Sequence, residues 1–112
     1  MGKVDELYSK AIAQWKFGNF VEAINFFKKI LRKNPNNSEI LSYVGILYLQ
    51  LGDYDKGLTS LELARNLSPN DHNILVNLSN GLLDQANYFY QHSFFSTAIK
   101  LTIKNLFPWT KI

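Results

Sequence analysis

Residues 41–70 read LSYVGILYLQLGDYDKGLTSLELARNLSPN. Within this stretch Leu41, Val44, Gly45 and Tyr48 recur at three- and four-residue steps, Gly52-Asp53 interrupts them, and Tyr54, Gly57, Leu61 and Ala64 resume the pattern until Pro69. Steps of three and four mark one face of a helix. A glycine suits the residue just past a helix end, and proline cannot continue a helix. The stretch therefore predicts one helix-turn-helix unit. Thirty-four residues upstream the same skeleton stands as Leu7, Ala11, Gly18-Asn19-Phe20, Ala23, Phe27, Ile30 and Pro35-Asn36, so that Gly18 corresponds to Gly52 and Pro35 to Pro69. A fixed period of this length is the signature of a solenoid of helix pairs.

These residues resemble the tetratricopeptide repeat family, and the resemblance spans almost the whole chain. It implies an all-α fold, an α-solenoid of three helix-turn-helix repeats over about residues 4–37, 38–71 and 72–112, making one domain, 1–112. It also implies a scaffold that binds other proteins. The first four helices are expected over about residues 4–17, 20–33, 38–51 and 54–67, with Asn37 or Ser38 capping the third. Small residues at Ala11, Gly45, Ala23 and Gly57 sit where paired helix backbones approach closely.

The third repeat departs from the pattern. A strict 34-residue step places Gln91 at the position of Ala23 and Gly57, whereas Phe95-x2-Ala98-Ile99 reproduces Phe20-x2-Ala23-Ile24 and Tyr54-x2-Gly57-Leu58. The step from Gly57 to Ala98 is then 41, seven residues longer. Seven residues make almost two helical turns, so the expectation is an in-phase extension: a fifth helix from about 71 to 91, with Leu75, Leu78, Leu82 and Phe89 on one face. A helix ending at Asp84 and followed by a loop is the alternative, but residues 85–90, QANYFY, contain no Gly or Pro. A sixth helix is expected from about Phe95 to Leu106, ended by Pro108. Its apolar residues Phe95, Ile103 and Leu106, with Phe107 and Trp109 after them, lie on more than one face. Solenoids need a polar outer cap at each end. No capping helix is visible here, so these residues are candidates for self-association, for a fold-back, or for contact with the rest of a longer protein.

Composition narrows the function classes. The 112 residues contain no cysteine, which excludes disulfides and thiolate metal sites. No apolar run reaches the roughly 18 residues a membrane span needs, and the N-terminus, MGKVDE, lacks the apolar core of a signal peptide, so a cytoplasmic location is expected. Position 6, where a myristoylation signal has serine or threonine, is Glu6. The net charge of +3 is spread unevenly: residues 1–36 carry seven Lys/Arg against three acids, and residues 37–71 two against five. This is well short of the dense basic stripe of nucleic-acid binders, and the cluster Lys28, Lys29, Arg32 and Lys33 reads as a solvated helix face. His72 and His92, the two histidines, have no carboxylate or hydroxyl at a suggestive spacing. No phosphate loop, paired catalytic acids or nucleophile elbow is present. Neither an enzyme nor a cofactor is expected.

By the family's geometry the outgoing helices line a concave surface. Here that surface would carry Tyr8, Ile12, Trp15, Tyr43, Ile46, Leu49, Val76, Asn77, Asn80 and Leu83, with Asn73, Asn77 and Asn80 on one stripe of the fifth helix. Trp15 and Leu49 are equally well placed for core packing. The remainder reads as an aromatic and apolar groove edged by amides, suited to an amphipathic helix or extended peptide of a partner protein; Tyr8, Tyr43, Asn77 and Asn80 lead. Family members that bind the acidic C-terminal tails of heat-shock chaperones use a clamp of lysine, arginine and asparagine, at points that here hold Tyr8, Ile12, Tyr43, Asn73 and Asn77. Without cations a terminal carboxylate pair is poorly held, which argues against that role. The rival expectations are a homodimer built through the C-terminal helix, a chaperone for secreted or membrane-inserting clients, and the repeat portion of a larger enzyme.

Overall fold

The computed structural model describes residues 2–109, and their secondary structure is helical throughout: α1 (Lys3–Lys16), α2 (Phe20–Lys33), α3 (Ser38–Gln50), α4 (Tyr54–Leu67) and α5 (His72–Leu106). The boundaries of the first four follow the local chemistry. Gly18 and Gly52, each with φ of 81°, end the outgoing helices in the left-handed conformation. Asp53 caps α4 by accepting from the Lys56 amide at 3.2 Å, and Asn37 caps α3 by accepting from the Ile40 amide at 3.1 Å. Asp71 does the same for α5, through the amides of Asn73 and Ile74.

The chain divides into two compact units, one up to Leu82 and one from Leu83 onward. In the first unit, Ala11, Ala23, Ile24, Phe27, Ile30, Ile40, Val44 and Leu47 form a continuous buried cluster among α1, α2 and α3. Burying a side chain the size of Phe27 or Leu47 stabilises by about 1.5–3 kcal/mol. A smaller cluster joins Leu58 and Leu61 of α4 to Leu78 of α5, with Leu49 against it. The expected small-residue contact is present: a Cβ on Gly45 would lie 2.7 Å from Leu61 Cγ and 2.9 Å from the Gly57 carbonyl oxygen. Gly81, which the repeat pattern does not single out, does the same for α5, where a Cβ would lie 2.7 Å from Leu49 Cδ1.

The second unit holds the C-terminal part of α5, and here the sequence expectation is corrected. The fifth and sixth helices are one helix, His72–Leu106, and the turn expected between Gln91 and Phe95 does not form. The helical character of residues 85–90, expected from the in-phase extension, is present. The physical reason lies in the turn chemistry. Where the first two repeats have Gly18-Asn19 and Gly52-Asp53, the 41-residue step places Ser93-Phe94. A serine in the left-handed region costs roughly 1–2 kcal/mol, phenylalanine cannot cap a helix, and residues 85–94 contain no glycine or proline. Helix propagation therefore continues through the segment. Phe94, Phe95, Ile99, Leu101 and Leu106 are all exposed. The last three positions of the expected third repeat lie outside the described residues.

Candidate functional site

α1 and α3 each turn one aromatic residue to the same face. The rings of Tyr8 and Tyr43 stand 6.4 Å apart, tilted by 50°. Behind them lies Phe27 of α2, fully buried, 6.1 Å from Tyr8 and 5.7 Å from Tyr43. Trp15 closes the cluster with edge-on contacts to Tyr43 at 5.7 Å and to Phe27 at 6.1 Å, and its indole N–H donates to Gln50 Oε1 at 3.0 Å. Edge-to-face pairs at these separations add to simple burial. Trp15 is therefore an inter-repeat packing residue, with its polar edge tied to α3.

The Tyr43 hydroxyl donates to Glu39 Oε1 at 2.7 Å, one helical turn back. This hydrogen bond, followed by burial, raises the Tyr43 pKa above its ordinary 10.0. The phenol is consequently neutral and held in one orientation. Tyr8 is 36% exposed and borders a concavity of about 490 Å³ along α1, lined also by Ile12, Ala13, Lys16 and Phe17.

The structure brings together only part of the set expected from sequence. Tyr8, Ile12, Trp15 and Tyr43 surround or pack on one cluster. Ile46 is partly buried in α3, and Val76 is exposed on α5. Asn77 is engaged internally: its side-chain amide donates to Ser42 Oγ at 3.3 Å, satisfying a hydroxyl that is 3% exposed. Asn80 and Asn73 remain exposed. Leu83 belongs to the second unit, as do Phe95, Ile103, Leu106, Phe107 and Trp109, of which Ile103 alone is partly buried.

Three contributors escaped the sequence reading. Phe27 was legible as core but not as the backing of the two tyrosines. Glu39 carried a signal in its four-residue spacing from Tyr43. Gln50 carried none, because its contact with Trp15 spans 35 positions. On a different face, the ammonium groups of Lys28 and Lys56 lie 5.4 and 5.6 Å from the Tyr48 ring, a favourable placement for cations. Among the described residues no cluster of His, Asp or Glu could hold a metal ion, and no helix is long and apolar enough to cross a membrane.

Helix hairpins stacked at a 34-residue period, with an aromatic face on the outgoing helices, define a helical-repeat protein. A model of the tetratricopeptide repeat matches residues 14–80, and the chain belongs to that family. The fold is that of the Sgt2 tetratricopeptide repeat domain from Aspergillus fumigatus, with a TM-score of 0.73 at 19% identity, over 100% of this chain and 87% of that one. In sequence the chain is similar to the BBSome complex member BBS4 of Bos taurus, 34% identical over 59 residues, which is 53% of this chain and 11% of that protein. It is also similar to the Protein CTR9 homolog of Arabidopsis thaliana, 36% identical over 70 residues, 62% of this chain and 6% of that protein. The chain thus spans a small fraction of the curated relatives it matches. The family fold is a scaffold for protein–protein interaction, and this chain has that scaffold.

Proposed function

We propose that this chain is a non-catalytic, cytoplasmic adaptor that holds a segment of a partner protein, an amphipathic helix or an extended peptide, against the aromatic face of Tyr8, Ile12 and Tyr43. Ile46, Val76 and Asn80 extend that surface along the outgoing helices, with Asn77, bonded to Ser42, beside them. The observation that carries the reading is the Tyr8–Tyr43 pair. Its rings sit 6.4 Å apart on two different repeats, backed by Phe27 and with one hydroxyl fixed by Glu39. An aromatic surface held in place before binding loses little side-chain entropy on association, and aromatic anchors concentrate binding energy.

The test must separate binding from folding, because Tyr43 and Asn77 both contribute to packing. Asn80→Ala alters an exposed side chain, and Tyr8→Ala a part-exposed one whose ring also packs on Phe27, so the unfolding midpoint of each variant is measured beside its affinity. A peptide library is selected against the full chain, and the affinity of a selected peptide is measured for each variant. Tyr8→Ala is expected to weaken binding by roughly tenfold, the loss of an anchor worth more than 1 kcal/mol. Asn80→Ala is expected to weaken it less. Unchanged affinity in Tyr8→Ala with an unchanged helical spectrum would show that the peptide docks elsewhere.

A further inference from the structure

The run Lys28, Lys29, Arg32 and Lys33 near the end of α2 is divided by the fold. Lys28 turns toward the Tyr48 ring, whereas Lys29, Arg32 and Lys33 line a concavity of about 380 Å³ between α1 and α2. Across it stand Lys3 and Lys10 of α1, with Glu6 and Leu7 between them. Positions 3, 6, 7 and 10, like 29, 32 and 33, recur at the three- and four-residue steps of one helix face, and the packing of α1 on α2 turns the two faces toward a common space. Five of the seven cations in residues 1–36, but one of the three acids, therefore line a single concavity. That acid is engaged: Glu6 Oε1 lies 3.2 Å from the Lys10 ammonium, one turn away. Lys29 rests against the Phe26 ring at 5.3 Å. Lys3, Arg32 and Lys33 make no ion pair among the described residues, and all five cations are exposed. The positive N-terminus of α1 and the negative C-terminus of α2 lie at the same end of the hairpin, so their fields largely cancel and the side chains set the potential.

Cations gathered without acids repel one another in the free chain, and an anionic partner relieves that repulsion. The dimensions select its form. Lys3 and Lys10 are seven residues apart, which is about 10 Å along α1, and the α2 cations run alongside them. A single phosphate reaches only part of such a row. About three residues of extended peptide cover it, with side chains on alternate sides, so that acidic side chains meet the cations while an apolar one rests on half-buried Leu7. A flat lipid surface does not enter the concavity to reach Leu7. We propose that this concavity is a second docking surface, which takes an extended acidic segment of a partner protein: its carboxylates pair with Lys3, Lys29, Arg32 and Lys33, and one apolar residue covers Leu7. The surface includes none of Tyr8, Ile12, Tyr43, Asn73 and Asn77, the points of the chaperone-tail clamp. It is independent of the aromatic face on α1 and α3.

The probe is a peptide with three glutamates on either side of a leucine, carrying a neutral dye, and its binding to the full chain is followed by fluorescence anisotropy at low and at physiological salt. Lys3→Glu with Arg32→Glu is compared with Lys28→Glu with Arg65→Glu, which alters two exposed cations outside the concavity. Each pair lowers the net charge of +3 by the same four units, and circular dichroism checks that helicity is unchanged. The first pair is expected to weaken binding by roughly tenfold or more, and the second by less than about twofold. Lys3→Gln with Arg32→Gln, which removes charge without reversing it, is expected to fall between them. The affinity of the unsubstituted chain is expected to drop as salt is raised, and by about threefold when the leucine of the probe is replaced by serine. Equal losses in the two reversal variants would reveal diffuse attraction without a site, and indifference to the leucine would reveal charge attraction without contact at Leu7; either result overturns the proposal. So would tighter binding of a single-stranded oligonucleotide, or of phosphatidylserine vesicles, than of the peptide, lost in the same variant, because it would give the concavity to another class of ligand.

Discussion

At Gly52 the backbone φ of 81° lies where L side chains are strained, while nothing stands within 4 Å of the site a Cβ would occupy. Gly52→Ala therefore costs backbone strain alone, about 1–2 kcal/mol. Gly45→Ala meets the Gly57 carbonyl at 2.9 Å and Leu61 Cγ at 2.7 Å, and because one of those atoms is backbone the helices must part, at about 1–3 kcal/mol. In urea unfolding both variants are expected to lose stability. Only Gly45→Ala is expected to alter the near-ultraviolet signal of the aromatic cluster, since it alone shifts helix packing. Tyr43 makes a prediction in pH. The hydrogen bond to Glu39, then burial, raise its pKa above 10.0, so the folded state keeps a proton that the unfolded state loses. That contribution is fully present below about pH 10 and is lost as pH rises beyond it. The stability difference between the wild type and Tyr43→Phe, measured by denaturation at a series of pH values, is expected to be constant up to about pH 9 and to shrink above about pH 10.

The elements show how two kinds of sequence signal can part company. The spacing Phe95-x2-Ala98-Ile99 repeats that by which the starts of α2 and α4 pack, and it led to the expectation of a sixth helix, yet Phe95 and Ile99 are exposed. Reversal of the chain depends on something else, a residue at ease in the left-handed region followed by a cap. Gly18 and Gly52 supply the first, and Asp53, through the Lys56 amide, the second; Asn19 holds the cap position of α2 without a side-chain cap bond, and Ser93-Phe94 supplies neither. Ser93→Gly combined with Phe94→Asp restores the missing chemistry. The double variant is expected to break α5 near residue 93, seen as a loss of amide-exchange protection at residues 92–95 relative to the unsubstituted chain. Protection that continues unbroken through these residues in the double variant would show that turn chemistry is not what carries the helix past residue 93.

For the whole molecule, the repeat period, the four short helices and the Asn37 cap of α3 were legible in the sequence, because each helix and its ends depend on residues at most a few positions apart. The same locality explains why Tyr8, Ile12 and Tyr43 could be assigned to one face: helical phase and a 34-residue step are enough to align them. What stands behind that face was not legible. The Phe27 ring, the Trp15–Gln50 hydrogen bond and the Asn77–Ser42 hydrogen bond join residues on different helices, and which side chains meet depends on how far the backbones approach and at what angle. Gly81 became significant for the same reason, since its lack of a Cβ has meaning only where Leu49 presses against α5. The sequence alone determined the family, the helix hairpins and the aromatic stripe, all written in short-range periodicity. Tertiary structure alone decided that Trp15 and Asn77 are occupied within the fold. It also decided that the third repeat ends in one unbroken helix, because the balance between turning and continuing is set by the energy of a few backbone angles that no pattern of apolar residues records.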